Sequence, residues 1–125
     1  MLSGYEFEGF LKLLFEKKGH TVENTPLSGD QGADLVISKF GGKIVVQTKR
    51  YNEKVANKTV QEVVASIAQY GANKGIVVTN NYFTASAVEL TNSNGIELIN
   101  RDTLEHLINE HPIGINEIEI QLSSF

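Results

Sequence analysis

Apolar and polar positions alternate along this chain with two periods, one near 3.6 and one near 2, and the switches between them mark the elements. Phe7, Phe10, Leu11, Leu14 and Phe15 recur at helical spacing behind Ser3 and Glu6. That pattern predicts a helix opened by a capping box and running to about Lys18, with Gly19 as its stop. Thr21 to Thr25, ahead of Pro26, has the β-branched character of a strand. Leu35-Val36-Ile37 and Ile44-Val45-Val46 predict two more strands, joined across Gly41-Gly42, a pair that accepts the positive φ values of a tight hairpin. Val60, Val63, Val64 and Ile67 give a helix from about Asn57 to Tyr70 that ends at Gly71. Gly75 to Thr79 is a short apolar run suited to a buried strand, and Thr84 can cap a helix reaching about Thr91. Ile96 to Ile99 is a further strand. Asp102 and Glu105 read as a second capping box, followed by Leu104, Leu107 and Ile108 on one helix face until His111-Pro112.

The predicted order is α-β-β-β-α-β-α-β-α, with hairpins early and strand-helix alternation late. This is an α/β chain with a central mixed β-sheet and helices on both faces. Residues 1–111 form one domain, in keeping with a length of 125 residues. Residues 112–125 are a C-terminal extension in which Ile118, Ile120 and Leu122 alternate with Glu119 and Gln121. That alternation predicts an edge strand within the chain or one swapped onto a second subunit, and with it a homodimer.

Composition narrows the function. A hydrophobic share of 41% and a charged share of 21% are those of a soluble globular protein. No apolar run approaches the roughly 18 to 20 residues that span a bilayer, and the N-terminus begins an amphipathic pattern without a secretory leader. The absence of cysteine excludes disulfides, zinc ribbons and thiol chemistry, and suits a cytoplasmic setting. A net charge of −4 alone speaks against a nucleic-acid partner, but its distribution does not. Residues 39–74 hold Lys39, Lys43, Lys49, Arg50, Lys54, Lys58 and Lys74 against Glu53 and Glu62, and the flanks carry the acid. One segment is basic, either as a scattered solvated surface or as a phosphate-binding stretch.

The candidate chemistry lies in that segment. With Gly41 and Gly42 as the turn, Phe40 pairs with Lys43, Asp34 lies opposite Lys49, and Val36 lies opposite Gln47. Gln47 and Lys49 share a face because strand side chains alternate, so Asp34, Gln47 and Lys49 converge, provided the register holds. A carboxylate, an amide oxygen and a lysine suit phosphodiester hydrolysis, in which oxygens hold a hard cation and an ammonium group neutralises the transition state. Lys49 can orient or deprotonate the attacking water, but the electrostatic role is the simpler one, since acting as a base requires a depressed pKa. Arg50, Lys54 and Lys58 extend the site as phosphate contacts, and Tyr51 either stacks on a base or packs against the sheet.

Gly32-Ala33-Asp34-Leu35 followed by Val46-Gln47-Thr48-Lys49-Arg50-Tyr51 resembles the Mrr-type branch of the PD-(D/E)xK restriction-endonuclease superfamily. The likeness extends over about residues 4 to 108 through Gly4-x-x-Phe7-Glu8, Gly29-Asp30-x-Gly32, Val78-Thr79-Asn80, Phe83-Thr84-x-x-Ala87 and Gly95-Ile96-x-Leu98-Ile99. It implies a DNA endonuclease of restriction-endonuclease-like fold, acting on duplex or branched DNA. It also implies Mg²⁺, with Mn²⁺ as a substitute, held by Asp34, the Gln47 side chain and the Thr48 backbone carbonyl, with Lys49 as the catalytic lysine. The wider superfamily has an acid where this chain has Gln47. A neutral ligand weakens metal binding unless another carboxylate contributes, and Glu8, at the border of the apolar face of helix one, is the candidate.

Each residue has a plainer reading. Asp34 can cap its own loop, or form a cross-strand salt bridge with Lys49. Glu8 can be a solvated helix carboxylate, Glu6 is explained by capping, and Asp30 either assists the metal or turns its loop. His20, His106 and His111 are scattered and read as structural or solvated. The glycines at 29 and 32 lack a following Gly-Lys-Ser/Thr, and the loop lacks EF-hand ligand spacing. The alternative to an enzyme is a catalytically weak or inactive DNA-binding or oligomerisation module on the same fold.

Overall fold

The computed structural model describes residues 4–25, 34–49 and 52–110, with side chains from residue 8 onward. The elements follow the order α1 (Gly4–Lys17), β1 (Thr21–Asn24), β2 (Leu35–Lys39), β3 (Gly42–Lys49), α2 (Asn57–Gln69), β4 (Lys74–Thr79), α3 (Ala85–Asn94), β5 (Ile96–Ile99) and α4 (Arg101–Glu110). This matches the order predicted from periodicity. Ser3 of the first capping box and the terminal segment around Ile118 to Leu122 lie outside the described residues.

The five strands form one sheet in the order β1-β2-β3-β4-β5. The first three are antiparallel neighbours, and β3-β4 and β4-β5 are parallel. The sheet is therefore mixed, with β3 at the junction between its two halves.

Each face of the sheet has its own apolar layer, as strand alternation requires. On one side Leu35, Ile37, Val46, Ile76, Val78 and Ile99 pack against Phe10, Leu11, Leu14 and Phe15 of α1 and Leu104 of α4. On the other, Val36, Val45 and Val77 pack against Val60 and Val63 of α2 and Ala87 of α3. The chain is an α/β fold with helices on both faces of a mixed sheet.

Two helix starts show what sets the boundaries. Thr84 caps α3 as predicted, its Oγ1 accepting from the Ala87 N–H at 3.1 Å. The second capping box does not form. Asn100 caps α4 instead, its Oδ1 accepting from the Thr103 N–H at 3.0 Å. Asp102 accepts from the Tyr82 hydroxyl, and Glu105 pairs with Arg101. Asn100 prevails because the preceding segment is fixed: the Arg101 N–H donates to the Asn81 carbonyl, and the Leu104 N–H returns to the Asn100 carbonyl.

His20 has the structural role read for it. Its ring packs edge-on against Phe15 with centroids 5.9 Å apart, and its Nδ1 is buried without a hydrogen-bond partner. Burial, then the charges of Lys39 and Lys18, push its pKa below the usual imidazole value. The folded chain thus binds this proton less readily than the unfolded one. The stability it contributes is complete above about pH 6.5 and declines as pH falls below that value. Urea unfolding across pH 5 to 8 should show that slope, and His20→Phe should flatten it; equal slopes in the two proteins would remove His20 as the cause.

Candidate active site

The β2-β3 hairpin turns at Phe40-Gly41, with φ of 54° and 81°, and not at Gly41-Gly42. Lys39 pairs with Gly42, Ser38 with Lys43, Ile37 with Ile44, Val36 with Val45 and Leu35 with Val46. The predicted register is therefore displaced by two residues. Cross-strand apolar pairing explains the choice: the observed register sets three apolar residues opposite three others, whereas a Gly41-Gly42 turn would place Ser38 opposite Val45 and Lys39 opposite Ile44. Those pairs outweigh the strain of a positive φ at Phe40.

A shift of two residues keeps every side chain on its face. The ladder ends at Leu35–Val46, one residue short of Asp34. The Asp34 carboxylate meets Thr48, the residue between Gln47 and Lys49 in β3, whose side chain alternates to the face opposite theirs. The expectation that Asp34 lies opposite Lys49 is corrected accordingly.

Asp34 is held from both sides. Its carbonyl accepts from the Thr25 N–H and Oγ1 at 3.1 and 3.2 Å, and its N–H donates to the Val46 carbonyl at 2.8 Å. Its carboxylate Oδ2 accepts from the Thr48 N–H at 2.8 Å and the Thr48 Oγ1 at 2.7 Å. A carboxylate fixed by a backbone N–H and a hydroxyl is oriented before any ligand arrives. The Thr48 hydroxyl escaped the sequence reading, which used only that residue's carbonyl. A threonine in a strand reads as a strand former, and only the register reveals its second role.

Gln47 is 7% exposed, and Lys49 is half-buried at the end of β3. Both occupy the face shared by Val45 and Val77, since Gln47 pairs with Val77 and Lys49 with Thr79 in the parallel ladder. Glu8 is half-buried on α1, one turn before Leu11 and two before Phe15, so it continues their buried stripe on the opposite face of the sheet. Lys39 Nζ donates to the Lys18 carbonyl at 3.0 Å, which pins the end of α1 beside the hairpin turn.

The loop after β3 is tied to the loop after β4. Val55 and Phe83 form a parallel bridge, the Val55 N–H donates to the Tyr82 carbonyl at 2.9 Å, and the Thr84 N–H donates to the Val55 carbonyl at 3.0 Å. Lys54 is exposed on that loop and Lys58 on the first turn of α2, while Arg50, Tyr51 and Asp30 lie outside the described residues. Beyond β4, Asn80, Arg101, Leu104, Glu105 and Ile108 line a hollow next to the strand end that carries Lys49. Neither Asn80 nor Arg101 was singled out in the sequence as a site residue. Asn80 had a signal in its place directly after the Val78-Thr79 run.

Among the described residues no three His, Cys, Asp or Glu side chains are grouped to hold a metal ion. Asp34, the amide of Gln47 and the carbonyl of Thr48 are hard donors of the kind that Mg²⁺ accepts while keeping several waters.

Comparison with known proteins agrees with this architecture. Residues 1–108 match the Mrr catalytic-domain family, described as restriction endonuclease. The chain is 33% identical over 93 residues to the type IV methyl-directed restriction enzyme EcoKMrr of Escherichia coli (strain K12), covering 71% of this chain and 31% of that protein. Among solved structures it is similar to the DNA modification-dependent restriction endonuclease AspBHI, with TM-score 0.71 and 17% identity over 94% of this chain and 34% of the other. It is also similar to the MspJI restriction endonuclease in complex with a 27-mer oligonucleotide, with TM-score 0.67 and 21% identity over 96% and 31% of the two chains. The chain spans about a third of the length of each of these three proteins. No helix among the described residues is long and apolar enough to cross a membrane.

Proposed function

The chain belongs to the restriction-endonuclease family of Mrr catalytic domains, and on that premise we propose that it hydrolyses DNA phosphodiester bonds with the help of a divalent cation held at Asp34. The observation that carries this reading is the anchoring of the Asp34 carboxylate to Thr48, on the strand that also bears Gln47 and Lys49. Asp34, the Gln47 side chain and the Thr48 carbonyl would hold Mg²⁺ or Mn²⁺. Such an ion supplies a polarised phosphoryl oxygen and a more acidic water. Glu8 of α1 would supply the charge that Gln47 lacks.

The protein's own groups supply the rest. Lys49 sets an ammonium group beside the phosphate, where negative charge grows in the transition state. Lys54, Lys58 and Arg50 would contact the DNA backbone, and Tyr51 would stack on a base or pack against the sheet. These contacts make binding salt-dependent and largely independent of sequence. Residues 1–111 are the nuclease unit in this reading. Pairing of two copies through residues 112–125 would coordinate cuts on two strands.

The test is incubation of supercoiled and branched DNA with the purified protein and Mg²⁺ or Mn²⁺, followed on gels. Nicked or linear products are expected. Intact DNA with salt-sensitive binding retained would favour a binding module, the reading that the neutral Gln47 supports. Gln47→Glu adds a carboxylate to the donor set and should tighten Mn²⁺ binding in calorimetry. An unchanged affinity would remove Gln47 from the ligands.

A further inference from the structure

The end of the sheet remote from Asp34 carries a feature that neither the core nor the hydrolytic site uses. Phe40 is 97% exposed at the tip of the β2-β3 hairpin and holds a φ of 54°. Among the described residues it is the non-glycine with a positive φ. A left-handed backbone strains a bulky L-residue, and asparagine or glycine would serve the turn better. An exposed ring returns no burial for that strain. The register requires the left-handed turn but not a phenyl ring in it, and a strained residue type that the fold does not call for points to use elsewhere.

One cation lies against the ring and others share its end of the hairpin. Lys39 Nζ lies 5.3 Å from its centroid and donates to the Lys18 carbonyl at 3.0 Å. Lys43 Nζ donates to the Tyr70 carbonyl at 3.3 Å, and Lys39 and Lys43 are both exposed. Each of these bonds engages one of three ammonium donors and leaves the charge in place. Glu16 is the carboxylate in the last turn of α1, and Glu97 is engaged with Lys74 at 3.1 Å.

A single exposed apolar ring with an ammonium group against it and further lysines at the same end of the hairpin fits a nucleic acid better than a protein surface. Phosphates would pair with the cations while the ring packs on a base or sugar. A protein interface needs a contiguous apolar patch. The other exposed large hydrophobic residues described, Tyr82 and Val88, lie after β4 and on α3, away from the hairpin tip.

We propose that the hairpin tip is a second DNA contact, with Phe40 against a base step or deoxyribose and Lys18, Lys39 and Lys43 on flanking phosphates. It rests on the nuclease reading and extends the footprint away from the scissile bond. Six strand residues separate Phe40 from Asp34, about 20 Å, or roughly six base pairs at about 3.4 Å each.

The experiment is fluorescence anisotropy with a labelled 30-base-pair duplex, without divalent cation, for wild type, Phe40→Asn and Lys43→Gln. Asparagine tolerates the left-handed turn, so Phe40→Asn should unfold at no lower urea concentration than wild type, yet bind the duplex about tenfold more weakly. Lys43→Gln should lower the slope of log affinity against log salt by about 0.9. Duplex affinity equal to wild type in Phe40→Asn overturns the proposal. So does a loss of self-association in sedimentation with duplex affinity intact, which would assign the ring to a second copy of the chain. Wild type that fails to bind the duplex would fell the nuclease reading as well, whereas wild-type binding with an unaffected variant removes the hairpin tip alone.

Discussion

Asp34→Asn is expected to reduce DNA cleavage by about 10³-fold while leaving the fold intact. Asparagine keeps an oxygen for the Thr48 N–H and hydroxyl, which now bond Oδ2 at 2.8 and 2.7 Å, so the hairpin end should hold. What it removes is the negative charge. Asp34→Ala confounds the two effects by leaving the Thr48 N–H without its acceptor. Lys49→Ala should cost about 10² to 10³ through the loss of positive charge near the phosphate. If the two groups act in one chemical step, the double variant should be little worse than either single one. Rates would be read from supercoiled plasmid under single-turnover conditions, beside circular dichroism and urea unfolding. Cleavage within about threefold of wild type in Asp34→Asn would place the chemistry elsewhere, and equal cutting by every protein would mean a contaminating nuclease.

Much of this arrangement is legible in the amino acids, because hydrophobic period is a strong signal where elements are long or continuously apolar. Most of the described elements follow from it, while β1 is read from its β-branched residues and α3 from the Thr84 cap. The errors fall where two local rules compete. At the hairpin, turn chemistry favours Gly41-Gly42, while cross-strand burial of Leu35, Val36 and Ile37 favours Phe40-Gly41, and burial wins. At α4, Asn100 and Asp102 are both good caps, and the Asn81 carbonyl, distant in the sequence reading, decides between them. The Asp34-Thr48 contact was hidden for a related reason. It depends on a register and on a loop connection that no single residue announces. Glu8 was visible as a carboxylate bordering an apolar face, and in the fold it is half-buried beside the Leu11 and Phe15 stripe of α1.

Gly75 shows the same limit, and it carries the largest expected effect on stability. In the sequence it is merely the first residue of an apolar strand. In the fold a Cβ at this position would stand 2.6 Å from Val63 Cγ1, 3.1 Å from Ile96 Cδ1 and 3.3 Å from Ile67 Cδ1. Glycine here lets α2 close on the sheet. Val63 is fully buried and β-branched, and in a helix one χ1 rotamer dominates, so its methyl has little freedom to swing aside. Gly75→Ala should therefore destabilise the chain by about 1 to 3 kcal/mol, through overpacking. Gly75→Val should cost more. Urea unfolding should show a lower midpoint with an unchanged slope. The mechanism has a stricter test in the double variant Gly75→Ala with Val63→Ala. Truncating Val63 alone opens a cavity, but in the double variant the new methyl fills part of that space. The two costs should then fall short of additive by about 1 kcal/mol. Strict additivity would mean that Gly75 is needed for its backbone and not for the room it leaves to α2.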